Sequence, residues 1–271
     1  MNEKLITKEI KDQIIQKIRA WWEVNFGRLA VIGISGGKDS SVVAALFVEA
    51  LGKENVLGVL LPDGDQKDIE DSKKLCKHLG IENVTLNINS LKHTAMSLIH
   101  EMNKEMGLKR SRIMPRADYT RYTTNLPPRI RMAMLYAVAQ NYGGRVINTS
   151  NASESYVGWG TLFGDTVGDF APIKNLYVDE VVELGKLLKL PKDLVEKRPA
   201  DGLTDKTDEE NLGFSYADVK KVALKCEGWQ TDTAFADIEE KHKNTQFKRD
   251  IINVPGIDFY RTKYGKITSV K

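Results

Sequence analysis

Short apolar runs rich in β-branched residues alternate with amphipathic segments along most of the chain. The apolar runs predict four strands, over 30–34, 55–61, 84–88 and 145–149. Helices are predicted at 7–25, directly after the first strand, and at 68–79, 91–106, 129–142, 177–190, 192–197, 216–225 and 235–248. This alternation is typical of parallel sheets. The predicted fold is therefore α/β, a three-layer Rossmann-like parallel sheet with helices on both faces. The polar stretch 198–210 predicts a mobile loop, and no element is predicted for 250–271.

The first predicted strand ends in a glycine-rich turn, and a helix begins at once. The turn consists of Gly33, Ile34, Ser35, Gly36, Gly37, Lys38, Asp39 and Ser40. Backbone N–H groups at such a helix start, together with the helix dipole, favour a phosphate, and Gly36 and Gly37 can take positive φ. A carboxylate beside phosphates is repelled unless a metal lies between them, so Asp39 indicates Mg²⁺. The alternative is an ordinary turn with an Asp-Ser helix cap.

A second acidic residue follows the fourth predicted strand. Glu154 lies just beyond the strand end, within a long glycine-rich and acidic segment, 150–172. Loops at strand ends often carry function, so Glu154 is expected to join Asp39 on one Mg²⁺. The alternative for Glu154 is capping of a helix.

Two arginines lie near the start of the predicted helix 129–142. Pro128 suits the first turn of that helix, and Arg129 and Arg131 follow it. Cations at a helix N-terminus oppose the dipole, which favours an anionic partner. The alternative is pairing of the two arginines with nearby carboxylates.

Composition narrows the class of protein. The chain has 271 residues, is 41% hydrophobic and carries a net charge of +3. We expect one domain over 1–271 and no strongly basic nucleic-acid surface. No membrane partner is expected, because no apolar run is long enough to span a bilayer. Met1 is not followed by a signal-peptide core, and Cys76 and Cys226 match no metal spacing, so a cytoplasmic protein with free thiols is expected.

The turn Ser35–Ser40 resembles the SGGxDS motif of the N-type ATP pyrophosphatases. Members of this superfamily split ATP between the α- and β-phosphates and transfer AMP to an acceptor. The motif does not identify the acceptor.

Further motifs resemble those of the ammonia-dependent NAD synthetases, in order from about residue 10 to 250. They lie at 125–132, 148–154, 160–165, 169–172, 207–213 and 248–249. The resemblance implies an adenine nucleotide alpha-hydrolase-like fold and ATP-dependent amidation of deamido-NAD through an acyl-adenylate. It also implies a homodimer. No room is left for a glutaminase domain, so free ammonia is the expected nitrogen donor.

The resemblance assigns roles residue by residue. It implies that ATP contacts Thr149 and the turn from Gly33 to Ser40, and that Mg²⁺ is held by Asp39 and Glu154. Deamido-NAD is expected at Arg129, Asp169 and Lys248. Asp165 matches the acid near the ammonia site and is the expected catalytic residue together with Asp39.

The chain departs from the family pattern at several positions. Val178, Leu162, Phe247 and Ala200 stand where many members have Lys, Lys, His and Ser or Thr. Lys38 and Lys174 are the candidates to replace the cation missing at Val178.

Apolar residues on helices 10–22 and 129–142 are expected at a dimer interface. Loops 62–67 and 199–210 are expected to become ordered over the ligands. The alternatives are another N-type ATP pyrophosphatase and a non-catalytic nucleotide-binding relative.

Overall fold

A parallel sheet of four strands forms the centre of the protein. A computed structural model describes residues 6–25, 27–66, 69–106, 116–197, 207–231, 233–262 and 264–271. The strands are β1 (Ala30–Gly33), β2 (Val56–Leu60), β3 (Glu82–Thr85) and β4 (Arg145–Ile147). Their order is β3-β2-β1-β4, and every pairing is parallel. The four predicted strands and their parallel arrangement are confirmed.

Helices follow and flank the strands. They are α1 (Lys8–Val24), α2 (Lys38–Leu51), α3 (Ile69–Leu79), α4 (Asn89–Glu105), α5 (Arg116–Tyr142), α6 (Ala152–Val157), α7 (Val178–Leu187), α8 (Lys192–Val195), α9 (Asp208–Leu212), α10 (Tyr216–Ala223), α11 (Phe235–Asn244) and α12 (Gln246–Ile251). Among the described residues, no helix has the length and apolarity needed to cross a membrane. Both cysteines are free thiols, as expected.

Alternation along β1 produces the three layers. Ala30 and Ile32 belong to the core that includes α1, α2 and α7, whereas Val31 packs with apolar residues of α5 on the opposite face. Successive side chains of a strand point to opposite faces, so a strand that is apolar throughout is covered on both sides. The predicted helices on both faces are confirmed.

The third strand lies two residues earlier than predicted. It pairs over Glu82–Thr85 with β2, and beyond it the N–H groups of Leu86 and Ile88 donate to Leu60 O and Pro62 O, at 2.8 and 2.9 Å. The apolar residues that suggested 84–88 therefore run beside β2 without forming a full ladder. β3 is an edge strand, and its register depends on pairing with β2 rather than on its own apolar pattern.

Helix α5 begins well before its predicted start. It runs from Arg116 and contains Pro127 and Pro128 in its interior, whereas 129–142 was predicted. Interior proline costs about 3 kcal/mol in an isolated helix, but both rings are buried here, which offsets part of that cost. Arg129 and Arg131 therefore lie far from the helix start. The dipole argument for an anionic partner was wrong.

Two predictions for the second half of the chain need correction. Residues 208–210, predicted as part of a mobile loop, form the first turn of α9, where a capping box joins Thr207 and Glu210. The rest of that loop, 198–206 with Ala200, lies outside the described residues. The predicted helix 235–248 is two helices, because Thr245 has φ −108° and its hydroxyl donates to Lys241 O at 2.8 Å.

The C-terminal segment forms an antiparallel hairpin that the sequence did not predict. Strand β5 (Phe259–Arg261) pairs with β6 (Ile267–Val270). Arg261 forms a two-pronged ion pair with Glu180 of α7, at 2.6 and 2.9 Å. Glu180 is only 1% exposed, so this pair attaches the hairpin to the main core.

Replacing Arg261 with Gln is expected to lower the free energy of unfolding by about 3 kcal/mol, because it leaves the buried Glu180 carboxylate with Lys220 as its remaining counter-ion, at 3.1 Å. Chemical denaturation measures this change. Lys271→Gln removes a cation from an exposed position of the same hairpin and is the control, with an expected change under about 0.5 kcal/mol. Equal effects of the two substitutions would contradict the role given to the ion pair.

Candidate active site

The glycine turn after β1 contains one residue in the left-handed region. Gly36 is buried and has φ +79°, the conformation that favours glycine. Gly37 instead has φ −87° and ψ 167°, so the prediction of positive φ was wrong for Gly37. The hydroxyls of Ser35 and Ser40 lie 3.1 Å apart, and Gly37 N–H donates to Ser35 Oγ at 3.2 Å. These bonds hold the turn in one shape without a ligand.

The N-terminus of α2 is open. Within the described chain no side chain caps this helix, and Gly37 occupies the N-cap position. The hydroxyls of Ser40 and Ser41 donate instead to Gly37 O, at 3.2 and 2.8 Å. The first N–H groups of a helix have no acceptor within it, so this end can receive an anion. The alternative of an Asp-Ser cap is not what the structure shows.

A buried ion pair lies beside this helix end. Lys38 is 4% exposed, and its Nζ donates to Asp39 Oδ2 at 2.9 Å. Burial alone would lower the pKa of Lys38, but the charge of Asp39, followed by that of Glu154, raises it above the usual value. Lys38 is therefore a permanent cation at the turn. Lys38 and Lys174 are the two candidates to replace the cation missing at Val178, and Lys38 is the one that lies beside the turn.

Asn151 joins the two predicted metal ligands. Its side-chain amide donates to Asp39 Oδ1 at 3.0 Å, and its side-chain oxygen accepts from Glu154 N–H at 3.0 Å. Its own N–H donates to Glu154 Oε2, also at 3.0 Å. Asn151 is fully buried, so these bonds are shielded from water. The end of β1 and the loop after β4 are thereby held together, as expected for neighbouring strands of a parallel sheet.

The structure shows the capping alternative for Glu154, and its metal role stays a prediction. Glu154 completes a capping box with Asn151 at the start of α6. Burial, and then the charge of Asp39, raise the pKa of Glu154 well above its usual range. A cap does not require a like charge nearby. The repulsion between these two carboxylates is therefore the feature that capping leaves unexplained.

Two further polar residues lie behind this pair and were missed by the sequence analysis. Asp208 of α9 is 4% exposed and accepts a hydrogen bond from Tyr216 OH on Oδ2 at 3.1 Å. Burial first, and then the charges of Glu154 and Asp208, raise the pKa of Tyr216 far above its usual range, so the phenol stays protonated. The Thr-x-x-Glu capping pattern of Thr207 and Glu210 could have located the start of α9. It could not have shown that Asp208 is buried.

The donor set fits Mg²⁺. Over the described ranges, no group of three or more His, Cys, Asp or Glu is placed to hold a metal ion. Mg²⁺ in nucleotide sites is commonly bound by one or two carboxylates, with phosphate oxygens and waters completing its octahedron. Asp39 and Glu154, two oxygen ligands that repel each other, match that pattern.

Asp165 lies on a tight turn after α6. Its Oδ1 accepts from Thr161 N–H at 2.5 Å, and its backbone oxygen accepts from the side chains of Asn148 and Ser150, at 2.8 and 3.0 Å. The residue is accessible to solvent, yet burial raises its pKa, against the opposing effects of the Thr161 N–H, Lys248 and Arg131. Asp165 is therefore a solvent-accessible carboxylate that its neighbours on the turn hold in place.

Two arginines of α5, Arg129 and Arg131, lie near the turn that carries Asp165. Arg131 Nε donates at 2.9 Å to the oxygen of Leu61, just after β2. Burial lowers the pKa of Arg131, and the charges of Asp63 and Asp165 oppose that effect. Arg129 Nε donates to Leu162 O at 3.1 Å, on the turn that carries Asp165. Both arginines are therefore near Asp165, although Arg131 was not among the assigned binding residues.

The other assigned residues already hold local structure. Asp169 accepts from Val146 N–H at 2.8 Å and lies 3.4 Å from Tyr136 OH. Lys248 donates to Gly158 O and Gly160 O, at 2.7 and 2.6 Å, and its charge also acts on Asp165. Thr149 lies between the end of β4 and α6. None of these contacts tests a ligand role. Binding of ATP by Thr149 and of deamido-NAD by Asp169 and Lys248 therefore stays a prediction.

The departures from the family pattern have clear positions. Val178 begins α7, where its N–H donates to Ser153 Oγ at 3.3 Å. Lys174 Nζ donates to Val254 O at 2.6 Å, which anchors the C-terminal segment, so it does not supply the missing cation there. Phe247 is an exposed residue of α12.

Comparison with known proteins decides the family. The family model of NAD synthase matches residues 6–254. The chain belongs to the NAD synthase family. The resemblance inferred from the motifs is thereby confirmed over nearly the whole chain, including the loop after β1 and the segment from Asn148 to Pro172.

Named relatives of this NAD synthase family member support the same conclusion. The chain is 33% identical to the NH(3)-dependent NAD(+) synthetase of Pyrococcus furiosus, over 91% of this chain and 95% of that protein. It is 37% identical to the NH(3)-dependent NAD(+) synthetase of Methanocaldococcus jannaschii, over 91% and 89%.

Solved structures agree with the fold. An NMN synthetase from Francisella tularensis superimposes with a TM-score of 0.75 at 31% identity, covering 90% of this chain and 98% of that one. An NH3-dependent NAD synthetase from Campylobacter jejuni superimposes with a TM-score of 0.70 at 26% identity, covering 91% and 97%.

Proposed function

We propose that this protein amidates the nicotinate carboxylate of deamido-NAD with ammonia, using ATP and giving NAD, AMP and pyrophosphate. The observation that carries the proposal is the meeting of the open α2 N-terminus, Asp39 and Glu154 at one edge of the sheet, joined by Asn151. Ligands of parallel sheets bind at the carboxyl ends of the strands, which is where these groups lie. Membership of the NAD synthase family supports the choice of acceptor.

The first step is adenylylation of the acceptor. A carboxylate oxygen of nicotinate forms a bond to the α-phosphorus of ATP, and the bond from that phosphorus to the bridging oxygen breaks, releasing pyrophosphate. The N–H groups at the start of α2 and the Lys38 ammonium would bind the phosphates and stabilise their growing charge. Asp39 and Glu154 would hold Mg²⁺, which supplies charge neutralisation for the leaving pyrophosphate. Thr149 and the turn residues from Gly33 to Ser40 are proposed to surround ATP.

The second step forms the amide. Ammonia attacks the acyl carbon, the bond to AMP breaks, and the nitrogen loses one proton. We propose that Asp165 orients ammonia and accepts that proton, since it is accessible to solvent and its carboxylate is fixed by Thr161 N–H. Arg129, Asp169 and Lys248 are proposed to contact deamido-NAD near Asp165. The names of the Pyrococcus and Methanocaldococcus relatives support free ammonia as the nitrogen donor.

A second acceptor has one specific observation in its favour. The Francisella NMN synthetase is more similar to this chain, in both identity and TM-score, than the Campylobacter NAD synthetase. Nicotinate mononucleotide carries the same carboxylate and lacks only the adenylate half of deamido-NAD. The same two steps would convert it to NMN.

The test is an amidation assay with purified protein, ATP, Mg²⁺ and ammonium. Deamido-NAD and nicotinate mononucleotide are supplied in separate reactions, and amide product, AMP and pyrophosphate are measured together. We expect equal amounts of the three products, with a larger kcat/KM for deamido-NAD. A larger kcat/KM for the mononucleotide would favour the second acceptor. Pyrophosphate without amide would show that the nitrogen donor or acceptor is wrong, and no product with either acceptor would favour a non-catalytic role.

We further propose one domain, a cytoplasmic location and a homodimer. The two free thiols support a reducing compartment. The predicted interface stripe on α1 does not support the dimer, because Ile10, Ile14 and Ile18 are buried in the protein's own core. Met132 and Leu135 of α5 are likewise buried against the sheet.

Helix α4 provides a different surface for the dimer. None of its residues is buried, and several large apolar side chains along it are 40–61% exposed, namely Leu91, Leu98, Ile99, Met102 and, at its C-cap, Met106. Apolar stripes of this kind are typical of a surface that another helix covers. We propose that a second copy of the chain covers it.

Replacing both Leu98 and Met102 with Glu is expected to convert the dimer to monomers, because four charges would meet across a two-fold interface. Size-exclusion chromatography with light scattering measures the mass. His100→Glu adds one negative charge per chain at an exposed position on the opposite side of α4 and should leave the dimer intact. A dimer that survives the double substitution would place the interface elsewhere.

A further inference from the structure

Phe163 combines two unusual properties. Its φ is +60°, in the left-handed region that bulky side chains rarely adopt, and its side chain is 57% exposed. Of the three described non-glycine residues with positive φ, Lys189 and Lys225 lie just beyond the ends of helices α7 and α10, a common place for that conformation. Phe163 ends no helix. A left-handed backbone and an exposed aromatic ring both cost free energy, and burial of the ring does not offset that cost here.

The surrounding turn imposes this conformation. Asp165 Oδ1 accepts from Thr161 N–H at 2.5 Å, and Gly164 N–H donates to Thr161 O at 2.9 Å. A side chain on Gly164 would meet Pro128 at 2.9 Å, so the turn is pressed closely against α5. The backbone on either side of Phe163 is therefore fixed, and its ring is directed away from the core. Strain that neighbours maintain in this way is common where a side chain meets a ligand.

The position of Phe163 indicates which ligand. On one side, Leu162 O accepts from Arg129 at 3.1 Å, and on the other side lies the Asp165 carboxylate, held by Thr161 N–H. Arg129 and Asp165 are the residues proposed above for deamido-NAD and ammonia, whereas the phosphates of ATP are proposed to bind at the turn after β1. A flat aromatic ring between them offers a surface to another flat ring.

We propose that the ring of Phe163 packs against the pyridine ring of the acceptor and holds its carboxyl carbon beside Asp165. This inference rests on the proposed function, and it adds a binding residue that determines affinity for the acceptor. It applies to deamido-NAD and to the mononucleotide alike, because both carry the same pyridine ring.

Three variants test the inference in the full-length protein. Phe163→Ala removes the ring and keeps a strained side chain, Phe163→Gly removes both, and Phe163→Tyr keeps the ring. With ATP, Mg²⁺ and ammonium, we expect KM for deamido-NAD to rise about tenfold in the Ala and Gly variants, from loss of ring contact. KM for ATP should change less than twofold, and the Tyr variant should resemble the parent. Thermal unfolding should occur at a higher temperature for Gly than for Ala, because glycine relieves the strain.

The outcomes separate this inference from the proposed function. An unchanged acceptor KM in both the Ala and Gly variants, in a parent enzyme that does amidate deamido-NAD, would overturn the inference alone. Loss of the dimer in those variants with an unchanged KM would also overturn it, because the ring would then be covered by a second copy. A parent protein that amidates neither acceptor would overturn the proposed function and this inference together.

Discussion

Glu154→Gln is expected to abolish pyrophosphate release while leaving the fold at least as stable as in the parent protein. Glutamine can complete a capping box as glutamate does, so the bond from Asn151 N–H is retained at the start of α6. The substitution removes a partly exposed carboxylate whose negative charge is disfavoured by burial and by the charge of Asp39, both of which raise its pKa. Tm should therefore stay constant or rise, by about 2–4 °C for each kcal/mol of repulsion removed.

The loss of activity follows from the same charge. Without it, one of the two carboxylates proposed for Mg²⁺ is gone, and several kcal/mol of charge stabilisation at the phosphates is lost with it. Each 1.36 kcal/mol is a factor of ten, so we expect pyrophosphate release to fall by about 10³-fold or more. ATP–pyrophosphate exchange in the presence of deamido-NAD measures this step without the amidation that follows.

Two companion variants sharpen the result. Asp39→Asn should lose the same activity but also destabilise the fold, by up to roughly 3 kcal/mol, because Lys38 is buried and loses its closest counter-ion. Asp218→Asn removes a charge from the capping box of α10, away from the site, and should leave exchange unchanged. Normal exchange in Glu154→Gln would show that this residue is a helix cap and nothing more.

The central fold was predictable because its elements repeat a simple pattern. Strand β1 is apolar throughout and buried on both faces, and the strands alternate with helices along the chain. The boundaries were less predictable where tertiary contacts decide them. The register of β3 depends on pairing with β2, and the prolines inside α5 are tolerated through burial that no local pattern reveals.

The C-terminal hairpin shows the same limit more strongly. Residues such as Phe259 and Ile267 are isolated apolar positions in a polar stretch, so their periodicity is weak. Their place is decided by a core built from distant segments and by the ion pair of Arg261 with Glu180, 81 residues apart. Contacts between residues so far apart in the sequence cannot be predicted from a short segment of it.

For the site, the sequence indicated the residues that carry charge and missed those that position them. Asp39 and Glu154 stand out because carboxylates are unusual beside a phosphate-binding turn. Asn151 resembles an ordinary helix cap in sequence, and only the structure shows that its amide also reaches Asp39. Asp208 could not be predicted, since nothing local places α9 behind Asp39 and Glu154. Gly37 shows the opposite error, because a glycine that can take positive φ has an extended backbone here.

Asp165→Asn is expected to separate the two chemical steps. Asparagine keeps an oxygen that can accept the bond from Thr161 N–H, so the turn and the adenylylation site should stay intact. An amide cannot take up the proton that ammonia releases. We therefore expect ATP–pyrophosphate exchange within about twofold of the parent, and amide formation reduced by about 10²–10⁴-fold, the usual contribution of a positioned general base.

Asp165→Ala is the informative companion. It removes both the base and the acceptor for Thr161 N–H, so the turn that carries Phe163 should loosen as well. We expect amide formation to fall as far as in the Asn variant, with an additional rise in KM for deamido-NAD. A difference in acceptor KM between the two variants would thus report the structural part of the role of Asp165. Equal loss of exchange and amidation in Asp165→Asn would contradict its assignment to the second step.

The pH dependence of amidation provides an independent check on this role. Burial raises the pKa of Asp165 above that of an ordinary aspartate, while Thr161 N–H, Lys248 and Arg131 limit the shift. The ionised form accepts the proton, so amide formation should be lost as pH falls through this raised pKa, at a pH where an ordinary aspartate would still be ionised. Amide formation by the parent and by Asp165→Asn is compared across this range. Rates are divided by the free-ammonia concentration at each pH, because ammonium must lose a proton before its nitrogen can attack. The low-pH loss that remains in the parent should be absent in the variant, because the small activity left there no longer depends on a carboxylate at this position. If the same loss persists in the variant, another group must accept the proton.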